Sequence, residues 1–472
     1  MRKFVGRHNY LKKLENIWNQ HKVGLISIYG RRRVGKTELI RVFSRNKAAW
    51  IFEAIEGENT ASQIKHFLNQ LSQFTKEPYL RDLDYKDWPP VFDLLSNKIK
   101  QKKDLIVAFD ELSWMAARKT KLISYIKYYW DKEWKYHPHL LLILCGSVAS
   151  WMVKNVVRSN ALYGRISENI LLDPLKPFEV AEFIGKKRGK KEILEYLLSF
   201  GGIPKYLEEM DFNQSIQINI DRTCFSASGF FVDEADKIFY NQFKETHIYK
   251  QIVRCLSESS LPLKDISQKI KIPSGGGLKR YLDNLISAGI VDSINDIRNF
   301  KLGKVPRYYM IDELMRFHLQ FVSPNISEIK HTHSASRFDK FTKNKWHPFM
   351  GNAFERFCLK HRYLIAQILG FDSKVTACGS LLNNNRNGFQ YDLVYLRSDG
   401  VVSLCEIKYL SDKPGTDLIK EMEAKLRVTD MPKDITVEKI LISNQEASNA
   451  LKTSGYFHHI LHSDRMIFAA NS

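Results

Sequence analysis

Two groups of residues have the types and spacing to do chemistry. The first lies in LISIYGRRRVGKTELI, residues 25–40. An apolar run, residues 25–29, ends at Gly30. Arg31, Arg32, Arg33 and Val34 then lead to Gly35-Lys36-Thr37, and Glu38 opens a helical pattern continued by Leu39, Ile40, Val42 and Phe43. This is G-x-x-x-x-G-K-[ST] between a strand and a helix, the context that identifies a phosphate-binding loop. Its glycines let backbone N–H groups curl around a phosphate with no Cβ in the way. Lys36 can reach β- and γ-phosphates, and Thr37 offers a hydroxyl to Mg²⁺ at a helix N-terminus already biased towards anions. ATP with Mg²⁺ is the expected ligand.

Two later strand ends could complete that chemistry. LIVAFDE, residues 105–111, closes an apolar strand with Asp110-Glu111. The aspartate can hold the Mg²⁺ shell, and the glutamate, one residue on, can polarise an attacking water. A helix N-cap is the plainer use of such a pair. HLLLILCGS, residues 139–147, is a fully apolar run typical of a buried parallel strand and ends at Ser147. In LYGR, Arg165 has the guanidinium that stabilises charge on a transferring phosphoryl group, from within the chain or from a second copy.

The second group lies far downstream. FQYDLVY (389–395) and VVSLCEIK (401–408) read as two strands, and a hairpin between them brings Asp392 and Glu406 to one sheet edge. Side chains alternate along a strand, so Glu406 and Lys408 point the same way. Two carboxylates can hold Mg²⁺ while a lysine steadies the water that attacks a phosphodiester. Glu355, in the helix-like GNAFERF upstream, adds a further acid. This D…E-x-K set is the constellation of restriction-endonuclease-like folds, which implies the fold before the activity.

The intervening chain must position these groups. FVGR, residues 4–7, precedes a helical stretch with Leu11, Leu14, Ile17 and Trp18 on one face. Residues 245–322 read as three short helices with a Gly-rich turn and a strand pair, a winged helix-turn-helix pattern in which Lys279 and Arg280 could face DNA. The aromatic-rich run 308–322 has helical spacing and reads as core. Residues 323–345 are polar and basic, like a linker; His331 and His333 sit there without the carboxylate or cysteine neighbours of a metal site.

The set FVGR, GRRRVGKTELI, LIVAFDE, LLLILCGS, LYGR and the later GGIPKYL (201–207) resembles the archaeal-type P-loop ATPases, a group related to AAA+ and STAND proteins. Members often carry a C-terminal nuclease-like domain. The resemblance implies that the FVGR box lies near the adenine, that the catalytic-acid strand lies next to the phosphate-loop strand, and that Ser147 is a sensor on the neighbouring strand. It also implies a helical lid reaching about residue 240. The expected architecture is α/β: a parallel-sheet P-loop core (1–176), helical lid (177–240), winged helix (241–325), linker (326–345) and C-terminal α/β restriction-endonuclease-like domain (346–472).

Bulk composition bounds the partners. The 472 residues include 72 Lys+Arg against 52 Asp+Glu, a net charge of +20, which favours polyanions. DNA is the favoured partner, and residues 185–191 hold five basic residues in seven. No apolar run has transmembrane length and the N-terminus lacks a signal-peptide core, so a cytoplasmic protein with no membrane role is expected. Six scattered cysteines argue against a disulfide framework or zinc site. A homo-oligomer is required only if Arg165 acts in trans. The expectation is an ATPase that gates a Mg²⁺-dependent nuclease. The alternative is a STAND-like switch whose C-terminal domain binds without cleaving.

Overall fold

The computed structural model describes residues 4–117, 121–243, 245–298, 300–331, 337–383, 389–429, 431 and 435–468. The chain forms two compact units, one of Met1–Leu175 with Ile203–Lys205 and one of Lys176–Gly202 with Tyr206–Ser472.

The first unit is built on five parallel strands: β1 (Gly24–Tyr29), β2 (Ala49–Glu53), β3 (Asp104–Asp110), β4 (His139–Gly146) and β5 (Glu168–Leu171), in the order β2-β3-β4-β1-β5. Alternate residues serve opposite faces. Leu105, Val107 and Phe109 join one apolar cluster and Ile106 and Ala108 another, so both faces are covered and the strand reads as an unbroken apolar run. The strand order corrects one expectation. The catalytic-acid strand β3 is not beside the phosphate-loop strand, because β4 lies between them, paired Leu25↔Leu142 and Val107↔Leu142. Helix α1 (His8–Trp18) follows the N-terminal box, α2 (Lys36–Phe43) follows the loop, and α3 (Leu122–Lys132) lies between β3 and β4 in sequence.

The second unit contains one mixed sheet of eight strands. Three helices, α4 (Thr246–Leu256), α5 (Leu263–Ile270) and α6 (Gly276–Ser287), pack with the hairpin of β7 (Val291–Arg298) and β8 (Lys301–Met310) through Ile252, Leu278, Leu282, Leu285 and Tyr308. The short β6 (Leu261–Pro262) joins β8. β9 (Val375–Asn383), β10 (Phe389–Arg397) and β11 (Val401–Lys408) are antiparallel, and β12 (Thr436–Ser443) and β13 (His459–His462) continue parallel to β11. β7 pairs in parallel with β9, Asn295↔Gly379 and Asp296↔Ser380, which makes the order β13-β12-β11-β10-β9-β7-β8-β6. Helices α7 (Trp346–Lys360) and α8 (Asp417–Arg427) bear on β11 and its neighbours.

Two further expectations differ from the structure. The stretch taken for a linker folds as two short helices, Ile326–His331 and Arg337–Thr342, with His333 outside the described residues. Ile329, Phe338 and Phe341 are buried, and Arg337 donates to the carbonyls of Phe225 and Ile329, so this polar-looking segment is tied to a core. The run 308–322 is core, but it is not one helix: Tyr308, Tyr309 and Met310 end β8, and helix begins at Glu313 behind an Asp312 N-cap.

Candidate active sites

The phosphate-binding loop is held as a closed turn by its own side chains. Gly35 sits at φ 93°, a left-handed conformation that costs any Cβ-bearing residue, and hands the chain to α2 at Lys36. Lys36 is buried and donates to the carbonyls of Gly30 and Arg31 at 3.2 and 3.0 Å. Arg7, from the N-terminal box, donates to the Val34 carbonyl at 3.0 Å, so the box is anchored on the loop itself. Arg31 is buried, whereas Arg32 extends to Glu56 at 3.0 Å and lies over the Trp114 ring. Arg33 takes φ 71°, and Glu38 is exposed on the first turn of α2, where a carboxylate suits the helix dipole.

Strand ends bring the remaining groups to this loop. Thr37 Oγ1 donates to Asp110 Oδ2 at 2.5 Å, and Asp110 Oδ1 accepts from the Glu111 N–H at 2.9 Å. A hydroxyl and a carboxylate, both hard oxygen donors at a helix N-terminus, are the donor set that Mg²⁺ takes. Because β4 lies next to β3, Ser147 reaches Glu111 Oε2 with both its N–H (3.1 Å) and its hydroxyl (2.6 Å). Glu111 occupies the left-handed region at φ 52°, which turns its carboxylate out of line with β3. Burial pushes the Glu111 carboxyl above its ordinary range, while Lys36 and the Ser147 hydroxyl pull the other way. A carboxylate so poised suits a general base.

Arg165 is engaged elsewhere in the first unit. Its guanidinium forks onto both oxygens of Asp131 on α3, at 2.9 and 2.8 Å, and also donates to the Tyr163 carbonyl. The same pairing, with help from Lys127, holds the Asp131 carboxyl well below the usual range.

The downstream group converges in the second unit. Glu355 from α7, Asp392 from β10 and Glu406 and Lys408 from β11 line one cleft of about 930 Å³. The β10–β11 register, Leu393↔Cys405, sets Asp392 beside Glu406, and Asp392 Oδ2 accepts from the Ile407 N–H at 3.1 Å. Burial first, then Glu355 and Glu406, pushes the Asp392 carboxyl up to about 7. Three carboxyl groups lining one cleft present hard oxygen donors of the kind that fit Mg²⁺. For Lys408, burial opposes the charge, but Glu421 and Glu406 outweigh it and hold the ammonium above its ordinary value.

Sequence reasoning missed Lys425, whose ammonium binds both Glu406 oxygens at 2.7 and 2.6 Å, and Gln390, whose side chain donates to Asp392 Oδ1 at 3.1 Å. Nothing local distinguishes Lys425 among 72 basic residues. Gln390 stands two residues before Asp392 on the same strand face, a signal that alternation could have given.

Residues 4–210 match the family described as an ATPase domain predominantly from Archaea, and residues 318–424 match the family described as archaeal and bacterial proteins of unknown function. An uncharacterized protein of Methanocaldococcus jannaschii is 27% identical over 354 residues, 75% of this chain and 76% of that one. An uncharacterized ATP-binding protein of the same organism is 57% identical over 44 residues, 9% of this chain and 75% of that one. The Walker-type ATPase of Pyrococcus abyssi has the same fold over 67% of this chain and 96% of its own, with 20% identity and a TM-score of 0.50. Residues 4–210 are therefore an ATPase domain of the archaeal type, followed in the same chain by a domain of the archaeal and bacterial family at residues 318–424.

Proposed function

We propose that this ATPase acts on nucleic acid, its ATP turnover gating a Mg²⁺-dependent nuclease in the second unit. The observation that carries the nuclease reading is the convergence of Glu355, Asp392, Glu406 and Lys408 on one cleft. In the first unit, the loop N–H groups and Lys36 would receive the β- and γ-phosphates, and Thr37 and Asp110 would hold Mg²⁺. Glu111 would accept the proton of the attacking water while Ser147 keeps its carboxylate aimed and ionised. In the cleft, Asp392 and Glu406, with Glu355 beside them, would hold Mg²⁺, and Lys408 would orient the water. When bound, Mg²⁺ supplies charge neutralisation at the phosphoryl centre.

The net charge of +20 supports a polyanionic partner. So does the helix-and-hairpin group at 246–310, which we read as a winged helix with Lys279 and Arg280 exposed on α6. One observation favours the second reading, a switch with a non-cleaving C-terminal domain: Lys408 is drawn to Glu421 at 2.8 Å. Incubation of supercoiled plasmid with the protein, ATP and Mg²⁺ or Mn²⁺ separates the two. Cleavage by wild type that is lost in Asp392→Ala and reduced in Lys36→Ala is expected. ATP turnover without cleavage under either metal would leave the switch.

A further inference from the structure

Helix α8 meets the Glu406-x-Lys408 pair with charges in the opposite order. Lys425 donates to both Glu406 oxygens at 2.7 and 2.6 Å and to the Gln390 carbonyl at 3.0 Å, so its three ammonium hydrogens have three acceptors. One turn earlier, Glu421 accepts from Lys408 at 2.8 Å. Residues four apart share a helix face, so a single face of α8 engages both members of the pair. Glu406 is only 3% exposed, which places the Lys425 contact inside the cleft and away from the surface, where such pairs contribute little. The helix is seated by Leu418 and Met422, with Ile419 and Leu426 partly buried on the same core.

We propose that α8 is a clamp on this cleft, in which Lys425 occupies the Glu406 carboxylate and sets the affinity for a divalent ion by competing for the same two oxygens. The inference rests on the metal-dependent nuclease reading of the cleft. An ion enters by displacing Lys425, and the freed ammonium then lies beside the bound ion, where a substrate phosphate would arrive. Glu421, at 2.8 Å, shares the Lys408 ammonium with Glu406, at 3.2 Å, until the helix moves. The regulation of cleavage thus resides in one helix face that the E-x-K spacing does not reveal.

The test is calorimetric Mn²⁺ titration of the full chain without nucleotide at about pH 8, above the level near 7 reached by Asp392. Asp392→Ala defines the share of binding that belongs to the cleft. Lys425→Met is expected to bind Mn²⁺ at least about tenfold more tightly than wild type, because the competing charge is gone. Lys425→Arg keeps the charge and grips a carboxylate with a fork, so it is expected to bind Mn²⁺ more weakly than wild type; it also reports should Lys425→Met fail to fold. Unchanged affinity in either variant, with Asp392→Ala still abolishing the binding, overturns the clamp and leaves the nuclease reading standing. No cleft-specific Mn²⁺ binding by any form removes both.

Discussion

Replacing Ser147 by alanine should move the pH dependence of ATP hydrolysis without abolishing it. Ser147 gives Glu111 two hydrogen bonds to one oxygen, and the substitution removes the 2.6 Å hydroxyl bond while the 3.1 Å N–H bond remains. A hydrogen bond to a charged group contributes about 1.5–3 kcal/mol, and the retained bond offsets roughly half of that loss. About 1.4 kcal/mol corresponds to one pKa unit, so the Glu111 carboxyl, already raised by burial, should rise by roughly one unit more. A general base works only when ionised. The acid limb of kcat/KM against pH should therefore shift by about one unit towards higher pH, with the alkaline plateau near the wild-type value. Ser147→Thr, which keeps the hydroxyl, should restore the limb. A lowered plateau with an unmoved limb would refute the electrostatic role and leave Ser147 as a spacer.

Three further outcomes are expected. Lys36→Ala should abolish the thermal stabilisation by ATP, which for wild type at about a hundred times Kd amounts to roughly 2.7 kcal/mol, read as a shift in Tm. The metal-free protein should lose stability as pH rises from about 4 to about 7, because unfolded Asp392 ionises near 4 whereas the folded carboxyl holds its proton to about 7; Mn²⁺ should reverse the loss, as thermal melts across that range will show. Arg165→Ala and Asp131→Ala should each cost no more than about 1 kcal/mol in denaturant melts, given their partial exposure, and the double variant should cost about as much as either single one.

The parts legible in the sequence were those whose geometry is local. Gly35-Lys36-Thr37 needs only the preceding strand and the following helix, and Asp110-Glu111 needs only the end of its own strand. Neighbours across a sheet are a different matter. Residues 105–109 and 140–144 are equally apolar, and nothing in either says which lies against β1, so the insertion of β4 between β1 and β3 escaped notice. The segment 326–345 misled through composition, because Ile329, Phe338 and Phe341 are buried there together with the polar Arg337 and Thr342. The D…E-x-K set was readable from alternation along two strands. Its cationic neighbour Lys425 was not, because only the packing of α8 brings it there. Arg165 was chosen for what a guanidinium can do, but its partner Asp131 depends on tertiary packing that spacing does not encode.

The pairing of β7 with β9 bears on how this polypeptide can be divided. Gly379 approaches so closely that a Cβ there would lie 2.1 Å from the Asn295 carbonyl oxygen. A fragment beginning near residue 346 would keep β9 but lose β7, baring a row of unpaired backbone donors and acceptors that recruits strands from other molecules. Such a fragment is expected to self-associate through that edge. In biosynthesis, residues 291–298 must likewise wait for residues 375–383 to emerge before that edge is closed. The carboxylate cleft and the helix-and-hairpin group thus fold as one piece.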